Sequence, residues 1–196
     1  MIELKNVCKS FEKKVVLSNI NLKFPSSGLF IIMGKNGVGK TTLLYILGLL
    51  DLDFKGDMII ENLKVKQEAL GKIREYRNKN ISYIFSKGNL IPYLNVIDNL
   101  KVGIKKEDDI IKFIDLPNEQ DVRTLSGGEE LLLSLSHEVS LNKKIYLLDE
   151  VTAALDDDNL KRVIEVLNKI SKTSLVIMVA HDERIKNIGQ KVRIFE

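Results

Sequence analysis

The chain has little cysteine and no long apolar run, and each shortage excludes a class of protein. Its 196 residues include one cysteine, Cys8, so no internal disulfide can form, which fits a reducing compartment. No apolar run approaches the roughly 20 residues that a membrane-spanning helix needs. The opening residues "MIELKNVCKS" carry no signal-peptide core. We therefore expect a cytoplasmic chain that reaches a membrane only through a partner.

The chain also lacks an excess of charge of either sign. It has 30 basic and 27 acidic residues, a formal net charge of +3. Because the two signs are interspersed, this balance gives only weak evidence for contact with nucleic acid, and no nucleic-acid partner is predicted. A hydrophobic content of 44% beside 29% charged residues is ordinary for a packed globular protein. The length fits one α/β domain over residues 1–196, with room for a small insert.

Short strand-like apolar runs alternate with helical patterns along the chain. The predicted strands are residues 2–7, 20–24, 29–33, 57–62, 81–85, 145–149 and 174–180. The predicted helices are 40–50, 156–172 and a charged stretch between the fourth and fifth strands. This alternation predicts a mostly parallel central sheet with helices on its faces. Helical patterns without a strand over 95–123 predict a short helical insert, about residues 87–139.

The segment "GKNGVGKT" (34–41) follows an apolar strand and opens a helix, which is the setting of a phosphate-binding loop. Its glycines let the backbone wrap a phosphate with the N–H groups pointing inward. Lys40 would reach the β- and γ-phosphates, Thr41 would offer a hydroxyl to Mg²⁺, and Thr42 would reach the α-phosphate. The predicted nucleotide-binding residues of this segment are Gly34, Asn36, Gly37, Gly39, Lys40, Thr41 and Thr42. A glycine-rich turn with a solvated lysine is the alternative.

Two adjacent acids end the apolar strand "IYLLDE" (145–150). Adjacent strand residues point to opposite faces, so we expect Asp149 and Glu150 to do different jobs. Asp149 would hold Mg²⁺ beside the phosphate loop, directly or through water. Glu150 would polarise an attacking water as a general base. The alternative is a pair of solvated acids in a turn.

A second candidate anion site lies far along the chain, in "TLSGGEELLLSLS" (124–136). A serine and two glycines directly before a helical run leave backbone N–H groups unobstructed at the positive end of the helix. We call residues 126–128 the Ser-Gly-Gly turn. Because the chain already has a phosphate loop, this turn is either idle or serves something that its own loop does not hold.

Five motifs in this order resemble the nucleotide-binding subunit of ATP-binding-cassette (ABC) transporters: "GKNGVGKT", "LSGGE", "IYLLDE", "AALD" and "VAHD". The resemblance implies a P-loop NTPase fold with a small antiparallel β subdomain, ATP and Mg²⁺ as cofactors, and ATP hydrolysis coupled to transport. It further implies a separate membrane permease and a head-to-tail dimer. In that dimer, Ser126, Gly127 and Gly128 of one subunit complete the site of the other, which would explain the Ser-Gly-Gly turn. Whether the dimer is homomeric or heteromeric stays open.

The resemblance assigns roles to three further residues. Phe11 matches the aromatic residue that stacks on adenine, although a Phe beside a strand is more often core. His181 matches the histidine that contacts the γ-phosphate and bridges to Glu150. Asp156 matches an acidic loop residue that reaches across the dimer, and in isolation it is also the expected N-cap of the following helix.

The chain departs from the family where the family places a Gln, because Ser86 occupies that position. A serine is too short to span to Mg²⁺ and the attacking water in the same way, so either hydrolysis or its coupling is weakened or a water molecule fills the gap. This keeps open a regulatory module with weak hydrolysis, and a soluble ABC-type ATPase is the other alternative. The stretch "NLIPYLNVIDNL" (89–100) looks most like the macrolide-export, lipoprotein-release and antimicrobial-peptide-export branches, which favours export.

Overall fold

The computed structural model describes residues 1–12, 14–85, 89–106, 108, 110–153, 155–181, 183–185 and 188–193. Within these residues there are nine strands: β1 (Ile2–Phe11), β2 (Lys14–Phe24), β3 (Gly28–Met33), β4 (Lys55–Ile60), β5 (Leu63–Lys64), β6 (Ile81–Ile84), β7 (Ile145–Asp149), β8 (Leu175–Ala180) and β9 (Gln190–Arg193). The α-helices of the same residues are α1 (Lys40–Leu47), α2 (Leu70–Asn80), α3 (Val96–Lys101), α4 (Gly127–Ser140) and α5 (Asp157–Ile170). None of these helices is long and apolar enough to cross a membrane.

Five strands form a parallel sheet in the order β6-β7-β8-β3-β9. All six residues of β8 are buried, as expected for a central strand covered on both faces. Its side chains alternate between two cores: Ile177 and Val179 join the core that contains α1, whereas Val176 and Met178 join the one that contains α4 and α5. The predicted parallel sheet with helices on both faces is confirmed.

The other four strands form a separate antiparallel sheet in the order β2-β1-β4-β5. Its inward-facing residues, such as Ile2, Leu4 and Met58, pack into the same core as α1. This sheet is the small antiparallel β subdomain that the resemblance implied, and it places the end of β1 beside the start of α1.

Helix α1 is shorter than the predicted 40–50, since it ends at Leu47. Gly48 caps it, with its N–H donating to the Leu44 carbonyl at 2.8 Å, and Leu49 has a positive φ of 56°. By contrast, α5 begins where Asp156 was expected to cap it: the Asp156 carboxylate accepts from the Asn159 N–H at 2.8 Å.

The prediction of a helical pattern throughout 95–123 is wrong for most of that segment. Among the described residues of this segment, helical conformation is confined to α3, Asp108 and a 3₁₀ turn at Val122–Thr124. Part of the intervening chain runs along α4, where the N–H groups of Ile111 and Phe113 donate to the Ser140 and Ser136 hydroxyls at 2.7 and 2.9 Å. Side chains of α4 thus take up backbone donors that a helix would have used internally.

Candidate nucleotide-binding site

The site lies at one edge of the parallel sheet. Strands β3, β7 and β8 are neighbours and parallel, so the residues that follow them meet at the same edge. The phosphate loop follows β3, Asp149 and Glu150 stand at the end of β7, and His181 follows β8. Sequence motifs that are more than a hundred residues apart are thereby brought together.

The phosphate loop wraps the N-terminus of α1 and needs glycine at its last turn. Gly39 is the N-cap of α1 and has φ of +103°, a conformation that side chains other than glycine rarely adopt. A Cβ there would also lie 2.8 Å from Val16 Cγ1 and 2.9 Å from the Val16 carbonyl oxygen. The chain is therefore held close over β2, with Asn36 and Gly37 at the exposed turn of the loop.

Lys40 is buried under this loop, only 4% exposed. Its Nζ donates to the carbonyl oxygens of Gly34 at 3.0 Å and Lys35 at 2.9 Å. Burial lowers the Lys40 pKa, and the charges of Glu150 and Asp149 act in the opposite direction. The result is a cation fixed inside the loop, near two carboxylates.

Asp149 is held by two hydroxyl groups, one on each oxygen of its carboxylate. The Thr41 hydroxyl donates to Oδ1 at 3.1 Å and the Tyr83 hydroxyl donates to Oδ2 at 3.3 Å. Burial raises the Asp149 pKa, while these two hydrogen bonds and the charge of Lys40 lower it. A carboxylate and a threonine hydroxyl side by side are the hard oxygen donors that Mg²⁺ prefers, so these residues fit that ion.

Glu150 faces His181 and has an uncommon backbone conformation. Its φ is +52°, and strained backbone of this kind clusters at functional sites. The Glu150 N–H donates to the Val179 carbonyl of β8 at 3.0 Å, which ties the residue to the strand that leads into His181. Glu150 Oε1 and His181 Nε2 lie 2.9 Å apart, at ion-pair distance. This Nε2 is buried and meets hydrogen-bond geometry with no group of the described residues.

Phe11 is not a core residue, since it is 51% exposed at the end of β1. Together with Lys14, Val16 and Glu150 it lines a cavity of about 340 Å³, whose remaining lining is the phosphate loop and the start of α1: Gly37, Gly39, Lys40, Thr41 and Thr42. That volume is within the range of small-molecule sites. Lys9 lies over one face of the ring, with Nζ 4.9 Å from the ring centroid and 2.8 Å from the Asp51 carboxylate.

The Ser-Gly-Gly turn lies outside the lining of this cavity. Ser126 is the N-cap of α4 and forms a capping box with Glu129, whose carboxylate lies 2.8 Å from both the Ser126 N and Oγ. A Cβ on Gly128 would lie 2.3 Å from Asn159 Nδ2, whereas a Cβ on Gly127 would meet nothing within 4 Å. A side chain at 128 would therefore have to displace Asn159, whereas the fold has no steric need for glycine at 127.

The predicted residues of the phosphate loop, Phe11, Asp149, Glu150 and His181 lie together at this edge of the sheet, whereas the Ser-Gly-Gly turn does not line the cavity. Three further residues, which the sequence did not predict, also touch the site. Val16, Lys9 and Tyr83 touch the site through contacts between elements, and no local motif marks them. Ser86, on which the expected weakening of hydrolysis depends, lies outside the described residues.

A phosphate loop at the carboxyl edge of a parallel sheet, with a strand-terminal Asp beside its threonine, defines a P-loop nucleotide-binding protein. A family model described as ABC transporter matches residues 17–153. The chain belongs to this family, as an ATP-binding subunit with ATPase activity.

The relatives agree with this assignment. The uncharacterized ABC transporter ATP-binding protein MJ0796 of Methanocaldococcus jannaschii is 27% identical, over 98% of this chain and 92% of its own length. The methionine import ATP-binding protein MetN of Clostridium acetobutylicum is 31% identical over the whole chain, which spans 66% of MetN. A structure of MJ0796 as a post-hydrolysis dimer bound to ADP and Pi has a TM-score of 0.85 and 26% identity, covering 99% of this chain and 94% of that one.

Proposed function

We propose that two ABC subunits pair head to tail, so that the phosphate loop of one and the Ser-Gly-Gly turn of the other close on the same ATP. The observation that carries this proposal is the open face of Gly127 on a turn that does not line its own chain's cavity. A glycine that its own fold does not need is explained by close approach of another molecule. The similar MJ0796 cassette forms a dimer bound to ADP and Pi, which supports pairing of two such subunits. The pair is two copies of this chain, or this chain with a second ABC ATPase.

Within each site, Glu150 is the general base that takes a proton from the attacking water. His181, whose Nε2 lies 2.9 Å from Glu150 Oε1, contacts the γ-phosphate beside it. Lys40 neutralises the β- and γ-phosphates. Thr41 and Asp149 would hold Mg²⁺, which would supply positive charge to offset the negative charge of the phosphates. Their hydroxyl and carboxylate are already 3.1 Å apart, so no rearrangement of the chain is needed to present them together.

The adenine ring and the phosphates of ATP are bound by further residues of the cavity. The half-exposed ring of Phe11 stacks on adenine, a contact of about 1 kcal/mol. The remaining phosphate contacts come from the loop and the first turn of α1: Gly34, Asn36, Gly37, Gly39 and Thr42. Asp156, exposed at the start of α5, faces the partner subunit across the dimer.

We propose that a membrane permease docks on the segment from Ser86 to about Gly103, within a helical insert of about residues 87–139. Tyr93 is 83% exposed there and is presented by a fixed loop. The buried Asn99 side chain binds the Ile91 N–H at 2.7 Å and the carbonyls of Ile91 and Leu94 at 3.1 Å. An exposed aromatic on a rigid support is the usual form of a binding hot spot. The subunit would then lie on the cytoplasmic face of the membrane, with no nucleic-acid partner.

We propose export as the direction of transport, on the resemblance of residues 89–100 to the export branches. MetN, whose name states methionine import, matches the chain at a similar identity to MJ0796. These identities do not decide the direction of transport. The test is to measure in which direction the reconstituted complex with its permease moves substrate.

The test of the proposed function is complementation between two inactive variants. Glu150→Gln lacks the base and Ser126→Arg blocks the Ser-Gly-Gly turn, so each alone should release phosphate at least about 100-fold more slowly than the parent. When the two are mixed before ATP is added, a mixed dimer contains one site with both Glu150 and Ser126 intact. Phosphate release should then reappear. Activity no higher than the sum of the separate variants would contradict composite sites shared between two copies of this chain.

A further inference from the structure

Tyr83 and Asp149 share one face of the parallel sheet. Tyr83 of β6 pairs with Leu147 of β7, and Asp149 is two residues beyond Leu147, so all three side chains point to the same side. That side is the one covered by α1, which carries Thr41. The tyrosine hydroxyl therefore approaches Asp149 from the strand opposite the phosphate loop.

The ring of Tyr83 is fixed on three sides, which fixes the hydroxyl. Its centroid lies 4.5 Å from that of Phe85 and 5.6 Å from that of Tyr45 on α1. A Cβ on Gly48 would lie 3.3 Å from Tyr83 Cδ2, so the capping glycine of α1 leaves just enough room for the ring. The ring is half-buried and partly packed against the core of α1.

We infer that Tyr83 is a positioning residue for the carboxylate of Asp149, and that its hydroxyl sets the orientation in which Asp149 meets Mg²⁺. The two oxygens of this carboxylate are held separately, Oδ1 by Thr41 at 3.1 Å and Oδ2 by Tyr83 at 3.3 Å. Two donors on opposite oxygens define the plane of the group, which one donor cannot do. Groups that orient a metal ligand from behind typically change metal affinity about 10- to 100-fold when they are removed.

The hydroxyl of Tyr83, and not its ring, positions the Asp149 carboxylate. A phenylalanine at position 83 would keep the contacts with Tyr45, Phe85 and Gly48, and would remove only the donor to Asp149 Oδ2. Tyr45→Phe is the matched control, since it removes a hydroxyl from the neighbouring ring and leaves the Tyr83–Asp149 hydrogen bond in place.

The inference rests on the proposed metal role of Asp149, and the experiment separates the two. Calorimetry gives the affinity of the chain for the β,γ-imido analogue of ATP in excess Mg²⁺ and in EDTA, and the ratio of these affinities measures the contribution of the ion. We expect a ratio well above one for the parent and for Tyr45→Phe, and a ratio close to one for Asp149→Asn. Tyr83→Phe should reduce the ratio about tenfold while its affinity in EDTA is unchanged.

The outcomes that contradict the inference are distinct. A Tyr83→Phe chain with the ratio of the parent, and with the same thermal unfolding midpoint, shows that the hydroxyl does not position Asp149. If Asp149→Asn keeps the ratio of the parent, the metal role of Asp149 itself fails, and the inference fails with it.

Discussion

At the scale of single residues, the two adjacent glycines of the Ser-Gly-Gly turn have different surroundings. Gly128 is buried against Asn159, whose side-chain Nδ2 also donates to the Asp156 carboxylate at 3.0 Å. Gly127 is exposed, and its Cβ position is open space. Glycine in a helix lowers its stability relative to alanine. The stability of this chain therefore gives no reason for glycine at position 127.

Alanine at each position should separate folding from function. Gly128→Ala should lower the free energy of unfolding by about 1–3 kcal/mol, because it forces Asn159 away from Asp156. Gly127→Ala should raise it by up to about 1 kcal/mol and should nevertheless abolish ATP-dependent dimerisation. Urea unfolding and solution mass measure the two effects. A Gly127→Ala chain that dimerises like the parent would contradict the proposed role of the turn.

The sequence predicts site residues where the chemistry is local and misses them where it is not. The phosphate loop and the acids that end β7 are contiguous motifs, and the structure brings them to one sheet edge as expected. Tyr83 and Lys9 touch the site only because β6 lies beside β7 and because β1 ends beside the loop after α1. Such contacts depend on sheet order, which periodicity does not specify.

At the scale of elements, α4 joins the parallel sheet to the helical insert. The Glu138 carboxylate accepts from the Ser82 hydroxyl of β6 at 2.7 Å, while His137 Nε2 lies 2.9 Å from the Val102 carbonyl just after α3. His137 Nδ1 and Glu138 Oε1 are 3.5 Å apart. Burial alone would lower the His137 pKa, but the contacts with Glu138 and with the Val102 carbonyl raise it overall. The protonated imidazole, which donates from both nitrogens, suits this place.

This raised pKa predicts a pH dependence of stability. A histidine whose folded pKa is above its unfolded value of about 6.5 stabilises the fold below that pH, and the contribution is lost as pH rises through the folded pKa. The free energy of unfolding should therefore fall as pH is raised from about 6 to about 8. The chain has two histidines. Urea unfolding should show this His137 contribution in the parent and in His181→Gln, and its loss in His137→Gln. An equal slope in all three would contradict the assignment.

The buried strands and the amphipathic helix α5 follow from their apolar patterns, and the structure confirms them. The segment between α3 and α4 does not, because its backbone is bound by serines of a helix that follows it in sequence. Apolar residues of that segment, Ile110, Ile114 and Leu116, pack against a cluster that includes Leu133 of α4.

At the scale of the whole molecule, the two groups of residues that the proposed dimer would join lie at separate places in the structure. Its cavity contains the phosphate loop, Phe11 and Glu150, while the Ser-Gly-Gly turn lies at the start of α4. Each half is pre-ordered: the loop by Lys40 and the turn by its capping box. In the proposed head-to-tail pair, two such molecules would complete two equal sites, because an isologous interface repeats every contact twice.

The most direct test of this account is the mass of Glu150→Gln in solution by light scattering. Removing the base stalls hydrolysis, so ATP should trap the closed pair. The account predicts that the mass doubles from 22.2 kDa with MgATP and stays at that of one chain with MgADP. A chain that remains monomeric while calorimetry shows bound ATP would contradict the claim that two copies of this chain complete each other's sites.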